Sequence, residues 1–288
     1  MTSPIKSILM HMDDSPQCQV RLHIANVLGE RFDAAATALY SVLPAFMQYA
    51  LAYSAGAEMA PLMQEFELQR RARARALFES TVGSGAARRL ARLEWAETLG
   101  EPSSQFARQA LGADLLVLGQ RDADSRALER DTLAGVAPDF AESVMLGSGK
   151  PALLLPSIFK AATIGSVVLV AWKPTRESAR ALSAALPFLR TAEQVHLVSW
   201  SAAGDQGTAT AGPDIELSLR RHGVQARVHR EVAAAREVGE LLLSKAADLG
   251  ADLLVMGCYG HGRAHEWALG GASRTVLRSM TLPVLMSH

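Results

Sequence analysis

Two spacings of apolar residues alternate along this chain. Short apolar-rich runs at 8–12, 36–42, 93–97, 115–118 and 151–155 have the length and character of strands buried in a sheet. Between them, 17–31, 58–92, 103–111 and 139–146 carry apolar residues at helical spacing; in the first of these Val20, Ile24, Val27 and Leu28 fall on one stripe before Gly29. Asp13-Asp14-Ser15-Pro16 between the first run and the first stripe is a turn followed by a helix start. The same order then returns. Strands are predicted at 166–172, 194–200, 225–231, 253–256 and 283–286, with helices at 177–189, 215–222, 238–249 and 273–278. Strands alternating with helices predict βαβ units, hence a parallel sheet covered on both faces. The break between the two series falls at 161–164.

The recurrence is literal at one point. Leu-Gly-Ala-Asp-Leu-Leu-Val at 111–117 returns unchanged at 249–255, an offset of 138 positions, and each copy runs into a glycine, Gly119 and Gly257. That period is the size of a small domain and far beyond the 20–50 residues of a solenoid repeat, so it marks a duplicated domain. The sequels differ. The second copy is followed by Gly257-Cys258-Tyr259-Gly260-His261-Gly262 and then Gly270-Gly271; the first by Gly119-Gln120-Arg121-Asp122. The halves also differ in length, and most of the excess is a segment at 43–65 containing Phe46, Met47, Tyr49, Leu51, Tyr53, Met59 and Met63. A lid, a pocket wall and a packing surface are all open for it; Met and aromatic residues mostly fill cores, which favours packing.

Composition narrows the function. The 288 residues fit two domains, and 49% are apolar, enough for two cores. Acids and bases number 29 each, so net charge offers no argument for nucleic acid or an anionic membrane. Arg70, Arg71, Arg73 and Arg75 form a local basic run, read as a solvated helix face. Cys18 and Cys258 make no disulfide framework, the first residues lack a signal-peptide core, and no stretch offers 18 uncharged apolar residues. The expectation is a soluble cytoplasmic protein with no membrane and no nucleic-acid partner.

The candidate chemistry lies in the glycine-rich stretch. In an open parallel sheet, ligands sit beyond the C-terminal ends of the strands. Glycines there let a backbone approach a ligand, successive free N–H groups form an anion nest, and the helix starting near Gly271 adds its positive end. That suits a phosphate chain, although Gly257-x2-Gly260-x9-Gly270 has neither P-loop nor dinucleotide spacing, and a plain turn remains open.

This pattern, following an apolar strand preceded by Gly-Ala-Asp-Leu-Leu-Val, resembles the universal stress protein family. The opening Ile8-Leu9-Met10-His11-Met12-Asp13 resembles that family's first strand and the acid after it. The likeness covers both halves, so the whole chain looks like a tandem member. It implies two α/β Rossmann-like domains, at 1–158 and 162–288, each a five-stranded parallel sheet of order 3-2-1-4-5. It implies a stress-response role, packing of the halves as an internal pseudo-dimer, and homodimerisation of tandem chains. Some members bind ATP and others do not. Carried onto this sequence, the resemblance implies an ATP site in the second domain, with Mg as companion ion, built from Ala171, Trp172, Lys173, Trp200, Met256, Gly257, Tyr259, Gly260, His261, Gly270, Gly271 and Ala272.

The fit is uneven. ATP-binding members follow the last glycine with Ser or Thr, where this chain has Gly271, and Lys173 stands at the place of the acid near the nucleoside. Ser273, Arg274 and Thr275 are candidates to replace the hydroxyl. In the first half Asp13 is present, but Pro138 and Asp139 fall where Gly270 and Gly271 stand, and Asp122 where Gly260 stands. Proline removes a donor and aspartate repels phosphate, so no nucleoside triphosphate is expected there.

Other constellations carry less. Cys258, His261 and His265 make a C-x2-H-x3-H set suited to zinc but short of a fourth ligand, for which Glu266 and His288 are candidates. His261 beside phosphate is the simpler reading. Trp172 and Trp200 close adjacent strands and either stack on adenine or seal the cleft. No catalytic constellation stands out, which points away from an enzyme. Three readings follow: an ATP-binding stress protein, a nucleotide-free interaction protein with a vestigial loop, and a weak ATP hydrolase relying on Glu266.

Overall fold

The computed structural model describes residues 5–43, 59–83, 93–120, 135–137, 139–161, 163–201, 214–234, 237–258 and 271–288. The chain divides into two compact units, Met1–Lys150 and Pro151–His288.

The first unit runs β1 (Ser7–Met12), α1 (Gln17–Phe32), β2 (Ala35–Tyr40), α2 (Met59–Gly83), β3 (Leu93–Glu97), α3 (Pro102–Ala110), β4 (Leu115–Gly119) and α4 (Phe140–Ser148). Its strands are parallel in the order β3-β2-β1-β4. The central strands are mostly apolar because both faces are covered: Ile8, Met10, Met12 and all of Leu115 to Leu118 are buried. α1 lays Cys18, Leu22, Ala25 and Leu28 on the core. α3 begins where Glu101 accepts from the N–H groups of Ser103 and Ser104, with Pro102 where a missing N–H costs nothing. α4 ends on Gly149 in the left-handed region, φ 64°.

The second unit runs β5 (Ala152–Leu155), β6 (Val167–Ala171), α5 (Arg176–Leu189), β7 (Gln194–Ser201), α6 (Ile215–Arg221), β8 (Arg227–Val232), α7 (Val238–Asp248), β9 (Leu253–Gly257), α8 (Gly271–Ser279) and β10 (Val284–Ser287). β8-β7-β6-β9-β10 is the expected 3-2-1-4-5 parallel order.

The strand expected at 151–155 forms at 152–155. It also pairs antiparallel with β10, Leu153 facing Leu285 and Leu154 facing Val284, a pairing the sequence does not announce. An unbroken apolar run specifies burial on both faces but not the direction of a neighbour.

The repeated heptapeptide does the same structural work twice. Asp114 accepts from the backbone N–H groups of Lys6 and Ser7 at 2.8 and 3.0 Å, and Asp252 from those of Ser166 and Val167, both at 2.9 Å. Each aspartate ties the start of its fourth strand to the start of the first, satisfying donors that precede the ladder. The repeated acid is therefore a stitch in the sheet.

The arginine run also differs from its reading as a solvated face. Arg70 is fully buried, reaching the Leu43 carbonyl at 2.8 Å and pairing with Glu67. Arg71, Arg73 and Arg75 lie on the surface, paired with Glu97, Asp14 and Glu79. Of the 43–65 segment, 44–58 lie outside the described residues. Among the described residues no helix is long and apolar enough to cross a membrane.

Candidate functional site

The C-terminal strand ends of each unit are where an α/β fold places its ligands, and the two units present different chemistry there. In the first unit β1 ends on His11 and Met12 and is followed by Asp13, all three buried. The Asp13 carboxylate meets Arg21 Nη2 at 2.7 Å and accepts from Ser15 through N–H at 2.9 Å and Oγ at 2.6 Å. Arg21 Nε donates to the His11 carbonyl at 3.0 Å. Burial alone would push the Asp13 carboxyl up. Arg21 above all, with His11 and the Ser15 hydrogen bonds, overrides it and holds the group down to about 2.

His11 stands beside this pair. Burial pushes its imidazole down to about 4 against the pull of Asp13. Its Nε2 donates to the Ser41 carbonyl at 2.9 Å, and its ring packs on Phe140 and Phe106. Burial also raises the Cys18 thiol to about 12, so it is no nucleophile at neutral pH.

The acid that the family resemblance places near a nucleoside is thus closed within an internal ion pair. Gly119, at the end of β4, backs onto it: a methyl group added there would fall 2.6 Å from Arg21 Nη1. Arg21 is a site residue that the sequence reading missed. Its signal was visible, a lone charge at 21 on the stripe formed by Cys18, Leu22, Ala25 and Leu28.

The helix that follows repels anions. Asp139 stands at the start of α4, receives a hydrogen bond from Ser143 Oγ at 2.9 Å, and is joined by Glu142 in the first turn. Two acids there oppose the positive end of the helix dipole. Pro138 and Asp122 lie outside the described residues.

In the second unit Ala171 closes β6, and the Trp172 N–H carries the ladder one step further onto the Val198 carbonyl at 2.8 Å. Lys173 follows, exposed on the turn before α5, whose start is capped by Thr175. Met256 is buried and Gly257 ends β9. A methyl group added at Gly257 would fall 2.5 Å from Ser178 N and 2.6 Å from the Glu177 carbonyl carbon, so this first glycine of the motif admits the first turn of α5. Trp200 sits at the end of β7. Its indole N–H is buried and meets no acceptor among the described residues.

Tyr259, Gly260, His261, His265, Glu266 and Gly270 lie outside the described residues. Description resumes at Gly271 and Ala272, where α8 begins. Gly271 is exposed, a methyl group added to it would touch nothing within 4 Å, and the first turn of α8 contains no acid. Ser273 is buried, and Thr275 packs on Gly239, where an added methyl would fall 2.6 Å from Thr275 Cβ. Arg274 remains exposed in that turn. Cys258 is buried and its carbonyl lies 3.3 Å from His288 Nδ1. Among the described residues no group of three ligating side chains could hold a metal ion.

The structure thus gathers Ala171, Trp172 and Lys173 at one strand end, Met256 and Gly257 at another, and Gly271 and Ala272 at a helix start. Comparison with known proteins agrees with this architecture. Residues 166–288 match the profile of the Universal stress protein family. The chain is similar to a universal stress protein from Archaeoglobus fulgidus DSM 4304, at 18% identity and TM-score 0.62, with 97% of each chain covered. It is also similar to a functionally unknown protein from Pseudomonas aeruginosa PAO1, at 16% identity and TM-score 0.58, covering 98% of this chain and 92% of that one. At these identities the two likenesses speak for the fold. No curated protein matches the chain.

Proposed function

We propose that the second unit, whose residues 166–288 match the Universal stress protein family, binds an adenine nucleotide, ATP, while the first unit is a nucleotide-free copy with a structural or regulatory role. One observation carries the reading. α8 opens on an exposed, unobstructed Gly271 with no acid in its first turn, whereas α4 opens on Asp139 with Glu142 beside it. Free N–H groups and the helix dipole at α8 suit a phosphate. The buried indole N–H of Trp200 adds a donor for which a nucleobase nitrogen is a fitting acceptor. Arg274 adds a cation in the first turn. Mg would reach this site with the nucleotide rather than through a protein metal cage.

A second reading rests on Gly257 and Lys173. Gly257 is spent on packing against α5, and Lys173 stands exposed where the family carries an acid. Both favour an interaction protein with a vestigial loop.

Titration calorimetry of the full chain with ATP separates the readings. The expected outcome is one nucleotide per chain, lost in Gly260→Asp and tightened several-fold in Gly271→Ser, each added hydrogen bond to a charged group being worth about 1.5–3 kcal/mol before ordering costs. No heat from the unsubstituted chain, with Gly271→Ser equally silent, would leave the interaction reading standing.

A further inference from the structure

One cluster in the second unit belongs to neither reading. His196 on β7 is 3% exposed, and its Nδ1 lies 3.0 Å from His229 Nε2 on β8, with the rings stacked at a 5.2 Å centroid separation. The other ring nitrogen of His196, Nε2, is buried and meets no partner among the described residues. Among the described residues a hydrogen on Nε2 would be a buried donor without an acceptor, which favours the proton on Nδ1, donated to His229.

β8 is the last strand of the unit's order and has no fully buried residue. Among the described residues, its links besides the ladder with β7 include the histidine pair, Arg230–Glu216 on the α6 side and Glu231–Lys245 on the α7 side. We propose that the His196–His229 pair is an acid-sensitive latch, in which one shared proton fastens the edge strand β8 to β7 at neutral pH and mild acid releases it.

The surroundings make a further proton on His196 costly. The register sets Arg227 opposite His196 and Glu231 opposite Trp200, and Lys245 of α7 takes up the Glu231 charge; on β6 the residue opposite His196 is the apolar Leu169. A proton on His229 Nε2 removes the acceptor and forces His196 into the tautomer with a buried, unpartnered N–H. A proton on His196 Nε2 buries a cation. Burial first, then His229, Arg227 and Lys245, all lower the pKa of His196. The unfolded strand takes its protons at the ordinary value of about 6.5, so the latch is whole above that pH and is lost as pH falls below it.

Amide hydrogen exchange of the full chain at about pH 7.5 and about pH 5, corrected for intrinsic rates, tests this. Protection of 227–232 is expected to fall about ten-fold or more relative to 253–257 at the lower pH. In His229→Gln, whose amide oxygen still accepts from His196 but takes no proton, the loss should shrink to the part that His196 alone contributes. Unchanged protection of 227–232 in the unsubstituted chain, or an equal loss in His229→Gln, overturns the latch. Ring 15N shifts of the unsubstituted chain guard against a variant that fails to fold: coupled titration of the two rings, in step with the exchange, is expected, and independent titration at ordinary values overturns the proposal.

Discussion

The two units carry the same heptapeptide and use it alike, yet the glycine that follows faces opposite situations. Gly119 backs onto a charged side chain, the Arg21 guanidinium held by buried Asp13. Gly257 backs onto bare backbone, the first turn of α5. The two scaffolds agree while their strand ends differ. In the first unit the acid after β1 is paired with an internal cation, and α4 opens on acids. In the second the corresponding position is exposed Lys173, and α8 opens on Gly271 and Ala272 with no acid in its first turn.

The comparison is broken hardest at Arg21. Arg21→Met leaves Asp13 buried beside an apolar chain and should cost the first unit about 3–5 kcal/mol at neutral pH, read as lost exchange protection in β1 and β4 with β6 and β9 unaffected. Asp13→Leu together with Arg21→Met should recover most of it. The unsubstituted pair has its own pH signature. Because the Asp13 carboxyl is held at about 2 against an ordinary 3.8, its contribution is whole above about 3.8 and is lost as pH falls toward about 2. An acid melt of the first unit without that step would remove Arg21 from its assigned role.

Next in size is the glycine pair. Gly257→Ala drives a methyl into backbone that cannot move aside and should destabilise the second unit by about 1–3 kcal/mol in urea unfolding. Gly119→Ala meets only the end of a side chain and should cost less. Equal losses would mean that the two glycines serve one purpose.

The repeated aspartates should behave identically. Asp114→Ala and Asp252→Ala each release two backbone donors and should each cost about 0.5–1.5 kcal/mol, measured by the same unfolding. A cost confined to one of them would show that the stitch is not shared. Smallest is Gly271→Ser, which enters open space and should shift stability by less than about 0.5 kcal/mol while tightening ATP. A large loss of stability there would mean that the opening of α8 is not open.

How far the site was legible depends on the residue. The fold could be read because each half repeats runs of the right length, and burial of Leu115 to Leu118 or Leu253 to Met256 follows from unbroken apolarity. Gly257 was read as a ligand-facing glycine, but its neighbour is Ser178, far away in sequence, and glycine looks the same whether helix or phosphate approaches it. The pairing of Asp13 carried no sequence signal, because its partner lies one helical turn into α1 and only the fold turns Arg21 back onto it. The histidine pair had no sequence signal at all, since His196 and His229 are 33 positions apart and meet only through the register of β7 with β8.

The sequence by itself determined the duplication, the alternation of strands and helices, and the glycine-rich stretch, because each is a matter of local period, composition or self-similarity. Only the tertiary structure decided that the strand at 152–155 pairs antiparallel with β10, that Asp13 is consumed by Arg21, and that Gly257 serves a helix. The physical reason is the same in all three. Pairing direction, ion-pair partners and close backbone approach are relations between residues distant along the chain, and an amino acid's own chemistry limits such relations without choosing among them.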